Sequence, residues 1–326
     1  MELYMKYKSS YRAAVPDLFL HAALFAGSLY GTKFSWAFVV PLALMQIRTF
    51  VVFHDCTHGS YTPNEGLNTT LAHILGVFVF TPQLWGQRHS IHHKTNGNPE
   101  NEYHFKFNEV VLHTTEDVRR MGDVKLLIFR MLHCPFFLYP AVAVFDFLLN
   151  HRIFHMLFKA IKGKRYPLSW PRVLSVTAAH NFALALFIHW LRQEGLLYKY
   201  LLSMLLFATA AFCIFHTQHT FNPAYISNNE TWRQQDSGLL GSSFLQVPFF
   251  LKYFMMGIEY HHIHHMNSKI PGYNLKKYHD DSGLEKGPLF RLSLWEAYQN
   301  LWLRVYDPEH REYLTIQEAI KRVKSN

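Results

Sequence analysis

Four long apolar blocks dominate the hydrophobic pattern of this chain. They fall into two closely spaced pairs, separated by Lys33-Phe34 in the first pair and by residues 192–195 in the second. Each block approaches the roughly 20 residues that a helix needs to cross a hydrocarbon core. The pattern predicts four transmembrane helices in two hairpins, at residues 16–32, 35–53, 173–191 and 196–215. Polar residues inside the blocks leave buried helices of a soluble protein as the alternative: His21, Arg48, His180 and His189.

Shorter apolar stretches between and after these blocks predict helices that do not cross the membrane. Residues 71–86 contain Pro82 and are too short for a span, which favours a helix that enters the membrane and returns. Residues 126–149 and 244–258 are typical of helices in the membrane interface. Near the C-terminus, a stripe at helical spacing predicts one packed cytoplasmic helix, through Leu294, Tyr298, Leu301, Trp302 and Val305.

The basic residues indicate how the chain is oriented. Of the 32 Lys and Arg residues, 13 lie in 54–172 and 12 follow residue 215, whereas the two short connections within the pairs carry only Lys33 and Arg192. By the positive-inside rule, both termini and the middle segment are cytoplasmic. The net charge of +9 then suits an anionic leaflet, densest at residues 162–165, better than a nucleic acid. We therefore predict a multi-pass protein of a bacterial inner membrane or the endoplasmic reticulum.

No low-complexity segment or long linker divides the chain, so we predict a single all-α membrane domain over residues 1–326. The segments outside the spans, 54–172 and 216–326, would form a cytoplasmic helical cap. Three cysteines lack metal or redox spacing and exclude an iron–sulfur cluster of the usual kind: Cys56, Cys134 and Cys213.

Ten of the 22 histidines form four compact groups on the predicted cytoplasmic side of the spans. Within each group the spacing is i, i+3 or i+4, which places imidazoles on one face of a helix. The groups are His54 with His58; His89, His92 and His93; His216 with His219; and His261, His264 and His265. One zinc ion uses three or four protein ligands, so ten imidazoles imply two metal ions.

The residues narrow the kind of metal centre without fixing the metal. Soluble di-iron bundles use two Glu-x-x-His pairs, whereas here this pair occurs once, at Glu259–His262. The His-Glu-x-x-His motif of zinc proteases is absent. Imidazole suits zinc, copper, iron and nickel. Iron is preferred because a redox pair that holds several charge states needs many ligands, whereas a hydrolytic zinc site does not.

The histidine groups and their surrounding words resemble the three histidine boxes of the membrane fatty acid desaturase superfamily. The match in order and spacing covers about residues 35–280. Within the superfamily, the chain most resembles the bacterial and plastid-type acyl-lipid omega-6 (delta-12) desaturases. The motifs that carry the resemblance are HDCTHGS, RHSIHHKTNGN, QHTFN with GSS, and HHIHHMNSKIPGYNL. The resemblance implies nine metal ligands: His54, His58, His89, His92, His93, His219, His261, His264 and His265.

Five further residues near the boxes have other expected roles. The family offers a Gln-His pair in the third group, so His216 is extra and its role as a ligand is left open. His262 points away from the ligand face of its box, so it is expected to support the ligands or the local structure and not to bind the metal. Asp55 and Glu259 adjoin ligands and are expected to accept an imidazole N–H. His104 is expected to be an ordinary packing or surface residue.

The resemblance further implies an O2-dependent desaturase that holds two iron ions and forms a cis double bond in the acyl chain of a membrane lipid. No haem, flavin or nucleotide motif is present, so electrons would come from a separate ferredoxin or cytochrome b5 type protein. Two alternatives remain open. One is a lipid or carotenoid hydroxylase or ketolase of the same superfamily, and the other is a non-catalytic metal-binding membrane protein or transporter.

Overall fold

The computed structural model describes residues 2–101, 112–162 and 168–325. Within these segments the chain is mostly helical, as predicted. Its α-helices, numbered in chain order, are α1 (Glu2–Lys6), α2 (Tyr11–Gly31), α3 (Val39–His58), α4 (Glu65–Phe78), α5 (Trp85–Thr95), α6 (Thr115–Arg119), α7 (Asp123–Leu132), α8 (Pro135–Phe145), α9 (His151–Lys162), α10 (Trp170–Gln193), α11 (Leu197–His219), α12 (Gln234–Gly241), α13 (Phe249–Met255), α14 (His261–Met266), α15 (Gly272–Ser282), α16 (Leu294–Asn300) and α17 (Ile316–Ser325).

Three shorter helical pieces complete the set in the described residues. A 3₁₀ turn at Trp36–Phe38 leads directly into α3, a π-helical turn at Asp146–Asn150 joins α8 to α9, and a second 3₁₀ turn lies at Leu284–Lys286. His104 lies outside the described residues, and so do the side chains of the predicted basic patch at 162–165.

Four helices of the described segments are long and apolar enough to cross a membrane. They cover Tyr11–Gly31, Trp36–His58, Trp170–Gln193 and Leu197–His219, so each predicted block is confirmed as part of such a helix. Helices α7 and α8 with their continuation to Leu157 would make a fifth candidate, but they are bent by 71° at a short break. This bend fits a broken span or a re-entrant segment, and the predicted interfacial position of 126–149 stays a prediction.

Local signals in the sequence set where the histidine-bearing helix and its neighbours begin and end. The Ser10 hydroxyl caps the first turn of α2 by accepting from the backbone N–H of Ala13 at 3.3 Å. Helix α3 stops at Gly59, whose φ of +66° is a left-handed conformation that glycine adopts without strain. Asn64 then caps α4 by accepting from the N–H of Leu67 at 2.8 Å. His54 and His58 therefore lie in the last turns of α3.

Helix α3 is the central span of the molecule. It packs against α2, α4, α11 and α13. In its apolar window 56% of the residues are buried, compared with 17% for α2 and 22% for α10. The large outward faces of α2 and α10 are therefore the surfaces available to lipid, while α3 and α11 form the interior. Both interior helices end in histidines.

The charged residue that the sequence places inside a predicted span is paired. Arg48 of α3 is buried and forms an ion pair with Asp17 of α2, and its guanidinium lies 4.1 Å from the ring centroid of Tyr253. The Tyr61 hydroxyl donates to the same Asp17 carboxylate at 2.9 Å. Lys33 lies in the connection between α2 and α3, and Glu194 lies in the connection between α10 and α11. These two residues form an ion pair, so the two connections lie side by side.

The prediction of an all-α fold is wrong in one respect, because the described residues include five short strands. A three-stranded sheet has the order β1 (His113–Thr114), β4 (Leu303–Asp307) and β5 (Glu312–Thr315), with β1 and β4 parallel and β4 and β5 antiparallel. Two further strands, β2 (Phe244–Leu245) and β3 (Arg291–Leu292), pair in parallel. Strands of two to five residues are too short for an alternating pattern to reveal them.

The predicted C-terminal helix is accordingly shorter than expected. A capping box at Ser293 and Glu296 starts α16, which ends at Asn300, and Val305 lies in β4. Val305 packs in a small apolar core with Phe129 and Leu314, and this core attaches α7 and α17 to the sheet. Leu294 and Tyr298, in contrast, are exposed rather than packed.

Candidate metal centre

The short helix α5 carries three histidines and the short helix α14 carries four, and on each helix three of them are divided between two groups. On α5, His89 and His93 point to one group and His92 to the other. On α14, His264 points to the first group, while His265 belongs to the second. Residues i and i+4 share a helix face, and residue i+3 is turned about 60° away from residue i. Three histidines on one helix can therefore serve two neighbouring sites.

The first histidine cluster gathers five imidazoles whose ligand atoms lie within 4.8 Å of one another. The distances between Nε2 atoms are 2.9 Å for His54–His89, 3.0 Å for His89–His93 and 2.9 Å for His93–His264. The fifth member, His58, has a buried Nε2 without a hydrogen-bond partner. The cluster consists of His54, His58, His89, His93 and His264.

The second histidine cluster is built beside the first from α5, α11 and α14. Its ligand atoms on His92, His219 and His265 also lie within 4.8 Å of one another. The Nε2 of His219 is 3.2 Å from that of His92 and 2.9 Å from that of His261, which joins the cluster as its fourth imidazole. Both ring nitrogens of His265 are buried without a hydrogen-bond partner.

These distances fit bound metal ions better than they fit hydrogen bonds. A neutral imidazole has one N–H and one lone pair, so a continuous run of Nε2–Nε2 contacts cannot all be donor–acceptor pairs. Two nitrogens that bind one ion at about 2.1 Å and at a right angle lie about 3 Å apart. The unpartnered buried nitrogens of His58 and His265 then have a role as ligands. Nine nitrogens exceed the ligands of one ion, so the donor set fits two.

Burial keeps these imidazoles in the form that binds a metal. It lowers the pKa of His89, His93, His261, His264 and His265 well below the usual 6.5, and neighbouring imidazoles lower it further. The rings are therefore neutral at neutral pH, and each has a lone pair available to a cation.

Groups around the clusters hold several ligands in place. Asp55 places Oδ1 3.3 Å from Nδ1 of His54, as expected, and its Oδ2 accepts the Gly272 backbone N–H at 2.6 Å. The Nδ1 of His219 lies 3.0 Å from the carbonyl of Gly241, so its N–H can donate there. These bonds direct the Nε2 atoms of His54 and His219 toward the clusters.

The expectation for Glu259 is not met in the described residues. Its side chain is buried and its Oε2 has no hydrogen-bond partner, and no bond joins it to a clustered histidine. Burial raises the pKa of Glu259 because the charged carboxylate has lost its water.

The two histidines that the sequence sets apart from the nine ligands are also apart in space. His262 turns away from both clusters and contacts His279, with 3.3 Å between its Nε2 and the Nδ1 of His279, and burial lowers the pKa of His262 to about 3. His216 lies one turn before His219 but faces Arg304, whose Nη1 is 2.8 Å from Nε2 and 3.1 Å from Nδ1 of His216. The Nε2 of His216 is also 3.2 Å from the carbonyl of Asn300.

Close backbone packing brings the short helices to the spans. A Cβ on Gly86 would lie 2.5 Å from Cβ of Thr57, which is between His54 and His58 on α3. Glycine at position 86 therefore lets α5 approach α3 closely. A Cβ on Gly238 would lie 2.9 Å from the backbone N of Met266, which makes α12 equally close to α14. From α12, the Gln234 amide donates to the carbonyls of His93 at 3.2 Å and His265 at 2.6 Å. Gln234 thereby ties α5 to α14.

An apolar cavity of about 100 Å³ lies against both clusters. His54, His89 and His261 form part of its wall. Trp85 stacks on the His89 ring at a centroid distance of 4.5 Å and closes one side. The rest of the wall is mainly aromatic and aliphatic, from Ile47, Phe50, Val51, Phe147, Phe207, Ala211, Phe212, Ile214, Phe215, Met255 and Ile258. A lining of this kind suits an apolar ligand better than a polar one.

Comparison with known families agrees with this geometry. Residues 33–296 match the family model described as "Fatty acid desaturase". The chain belongs to the fatty acid desaturase family. The match includes both histidine clusters and all but the first of the four long apolar helices. As a member of this family the protein is an oxidoreductase.

Three relatives show how close the similarity is. A "Fatty acid desaturase" of Bacillus subtilis (strain 168) is 27% identical over 295 residues, covering 88% of this chain and 80% of the relative. An "sn-1 oleoyl-lipid 12-desaturase" of Anabaena variabilis is 24% identical and covers 73% of this chain and 67% of the relative. An "sn-2 acyl-lipid omega-3 desaturase (ferredoxin), chloroplastic" of Arabidopsis thaliana is 31% identical over 132 residues, covering 38% and 29%.

In this desaturase, two groups that hold the histidines through backbone contacts could not be recognised from the sequence. Gln234 and the Gly241 carbonyl lie far along the chain from the histidines that they hold, and no spacing signals them. Trp85 is different, because its position four residues before His89 places it on the same helix face.

Proposed function

We propose that this protein is an O2-dependent acyl-lipid desaturase of the delta-12 (omega-6) type, which forms a cis double bond in the acyl chain of a membrane lipid. One observation supports it most: two adjoining clusters with nine imidazoles in all border an apolar cavity. The relatives named as 12-desaturases support the position of the double bond.

Two iron ions would be held by the nine histidines, with His54, His58, His89, His93 and His264 on one ion and His92, His219, His261 and His265 on the other. Bound iron would supply the O2 chemistry that removes hydrogen from an unactivated methylene, which no side chain can do. A –CH2–CH2– unit, O2, two electrons and two protons then yield –CH=CH– and two waters.

The residues of the chain position the substrate and protect the reaction. The aromatic wall around Phe50 and Phe207 would hold the acyl chain in one path beside the clusters. Trp85 fixes the His89 ring by stacking, and Asp55 fixes that of His54. Because the cavity is apolar, it would keep bulk water from the reacting carbons.

The electrons would come from a separate ferredoxin or cytochrome b5 type protein, as the name of the ferredoxin-dependent relative suggests. We further propose a single membrane domain whose two hairpins direct both termini and the histidine-bearing cap to the cytoplasm. The pairing of Lys33 with Glu194, on connections remote from the histidines, supports two hairpins with their tips together. The Lys and Arg asymmetry supports the orientation.

Expression in a host that lacks polyunsaturated lipids tests the activity. Fatty-acid analysis should show a new double bond at the delta-12 position, and a His92→Ala variant should show none. An added hydroxyl or keto oxygen, or an unchanged lipid profile with iron-loaded protein, would reject the proposal. Reporter fusions test the orientation separately: those after residues 34 and 194 should be external, and those after 120 and 310 cytoplasmic.

A further inference from the structure

Arg304 is a buried cation that no carboxylate of the described residues neutralises. Three arginines of the described residues are buried, and two of them face acids: Arg48 pairs with Asp17, and Arg88 with Asp146 at 3.3 Å. Arg304 is 9% exposed, and in the described part of the chain no carboxylate oxygen lies within 4.0 Å of it. A buried charge is normally paired, so among the described residues Arg304 lacks the anion expected beside it.

The contacts of Arg304 hold its guanidinium in place without neutralising it. Its Nη2 donates to the Tyr139 hydroxyl at 2.8 Å, and its Nη1 lies 2.8 Å from Nε2 and 3.1 Å from Nδ1 of His216. A neutral imidazole has a lone pair on one of its two ring nitrogens, so His216 can accept from Arg304. All these partners are neutral acceptors. The Tyr139 hydroxyl accepts from Arg304 and keeps its own proton to donate.

These groups line a second cavity, of about 180 Å³, beside the one at the histidine clusters. His113 and His133 add further ring nitrogens to its wall. Phe212 and Phe215 line both cavities, and the Phe215 ring lies 5.0 Å from that of His219. These two rings therefore form a wall that the two cavities share.

The surface next to the second cavity is apolar and aromatic. Phe136, Phe137 and Trp302 are 69%, 71% and 37% exposed, and Phe136 and Trp302 contact each other at a ring distance of 6.0 Å. Trp302 is close to Arg304 in the chain, and Phe136 is on the same helix as Tyr139. An exposed tryptophan such as Trp302 is typical of the level of lipid headgroups.

We propose that the second cavity binds the anionic group of an acyl lipid, a phosphate or a carboxylate, on Arg304 and Tyr139. The acyl chain of that lipid extends past Phe212 and Phe215 toward the histidine clusters. The planar fork of the arginine guanidinium can donate charge-assisted hydrogen bonds to two oxygens of either anion. The inference rests on the proposed function for the fate of the chain, but binding of the anion requires no turnover.

Ligand binding to the detergent-purified, iron-loaded protein tests the site by thermal unfolding against increasing lipid. One series uses phosphatidate and diacylglycerol with the same acyl chains, and a second uses oleate and methyl oleate. We expect at least one anionic probe to stabilise the protein more than its neutral partner, which also identifies the anion. Arg304→Gln should bind that probe about 10–100-fold more weakly, because a hydrogen bond to a charged group is lost.

Three further measurements keep the result clear. Arg120→Gln removes an exposed arginine that pairs with Glu116 and should bind like the unchanged protein. Tyr139→Phe keeps the cation and should weaken binding less than Arg304→Gln does. This second variant still tests the site if Arg304→Gln fails to fold. Equal binding of anionic and neutral probes, unchanged binding in both site variants, or full stabilisation by inorganic phosphate alone overturns the proposal. None of these outcomes depends on whether the protein desaturates its lipid.

Discussion

Asp55→Asn separates the positioning of a metal ligand from the rest of the fold. The carboxylate uses both of its oxygens as acceptors, one 3.3 Å from Nδ1 of His54 and the other 2.6 Å from the N of Gly272. An amide has the same shape but only one acceptor oxygen. Whichever way the Asn side chain turns, its NH2 group must face either the Nδ1–H of His54 or the N–H of Gly272.

The expected loss follows from these two contacts. Removing a group that orients a metal-binding histidine typically lowers metal affinity about 10–100-fold. This range corresponds to about 1.4–2.8 kcal/mol, since each tenfold change is about 1.4 kcal/mol. We expect iron to leave Asp55→Asn at correspondingly lower chelator concentrations, with the His54 ring no longer held in one orientation.

The assay is a chelator titration of the purified protein, with iron measured in the retained fraction, next to thermal unfolding of the iron-free form. Glu259→Gln is the matched control, because Glu259 is a buried carboxylate beside a histidine group that makes no bond to a clustered imidazole. It should hold iron like the unchanged protein. The reasoning fails if the two variants lose iron equally, or if Asp55→Asn destabilises the iron-free form by the whole amount seen with iron.

Three further predictions use the same preparation. His219→Ala should be inactive with reduced iron, whereas His216→Ala should keep its iron and measurable desaturation because it faces Arg304; equal iron loss in both would contradict the geometry. The iron-free protein should lose stability as the pH falls below about 6.5, because the unfolded chain takes up protons before the buried histidines of α5 and α14, whose folded pKa is lowered; a flat melting temperature from neutral pH to about pH 5 would refute this. Gln234→Ala should cost about 1–3 kcal/mol of stability through two lost hydrogen bonds, seen as a lower melting temperature than in the exposed control Gln299→Ala.

The four long helices could be predicted because each leaves its signal within a continuous stretch of chain. Length and apolarity identify a candidate span without knowledge of its neighbours. The histidine groups are equally local, since spacing of three and four residues places them on one helix face. The sequence also separated His262 from the ligand face of its group, and in the structure this ring contacts His279.

Features that depend on distant pairing could not be predicted. The sheet joins His113 to Val305 and Val305 to Leu314, and each strand is too short to carry a pattern of its own. Gln234 is one polar residue among many until folding brings it to two helix ends. In the sequence, Arg304 is one of the 12 basic residues that follow residue 215. Its burial among neutral groups is visible only in the folded structure.

The division of histidines on α5 and α14 has a thermodynamic consequence. Helices of 11 and 6 residues have little stability of their own, so part of the binding energy of a metal ion is spent on ordering them. Both helices serve both clusters. If two ions bind as proposed, occupation of one cluster orders ligands that the other needs, and we expect the second ion to bind more tightly than the first. Because such linkage is reciprocal, the protein should pass between empty and fully loaded states with little singly loaded protein between them.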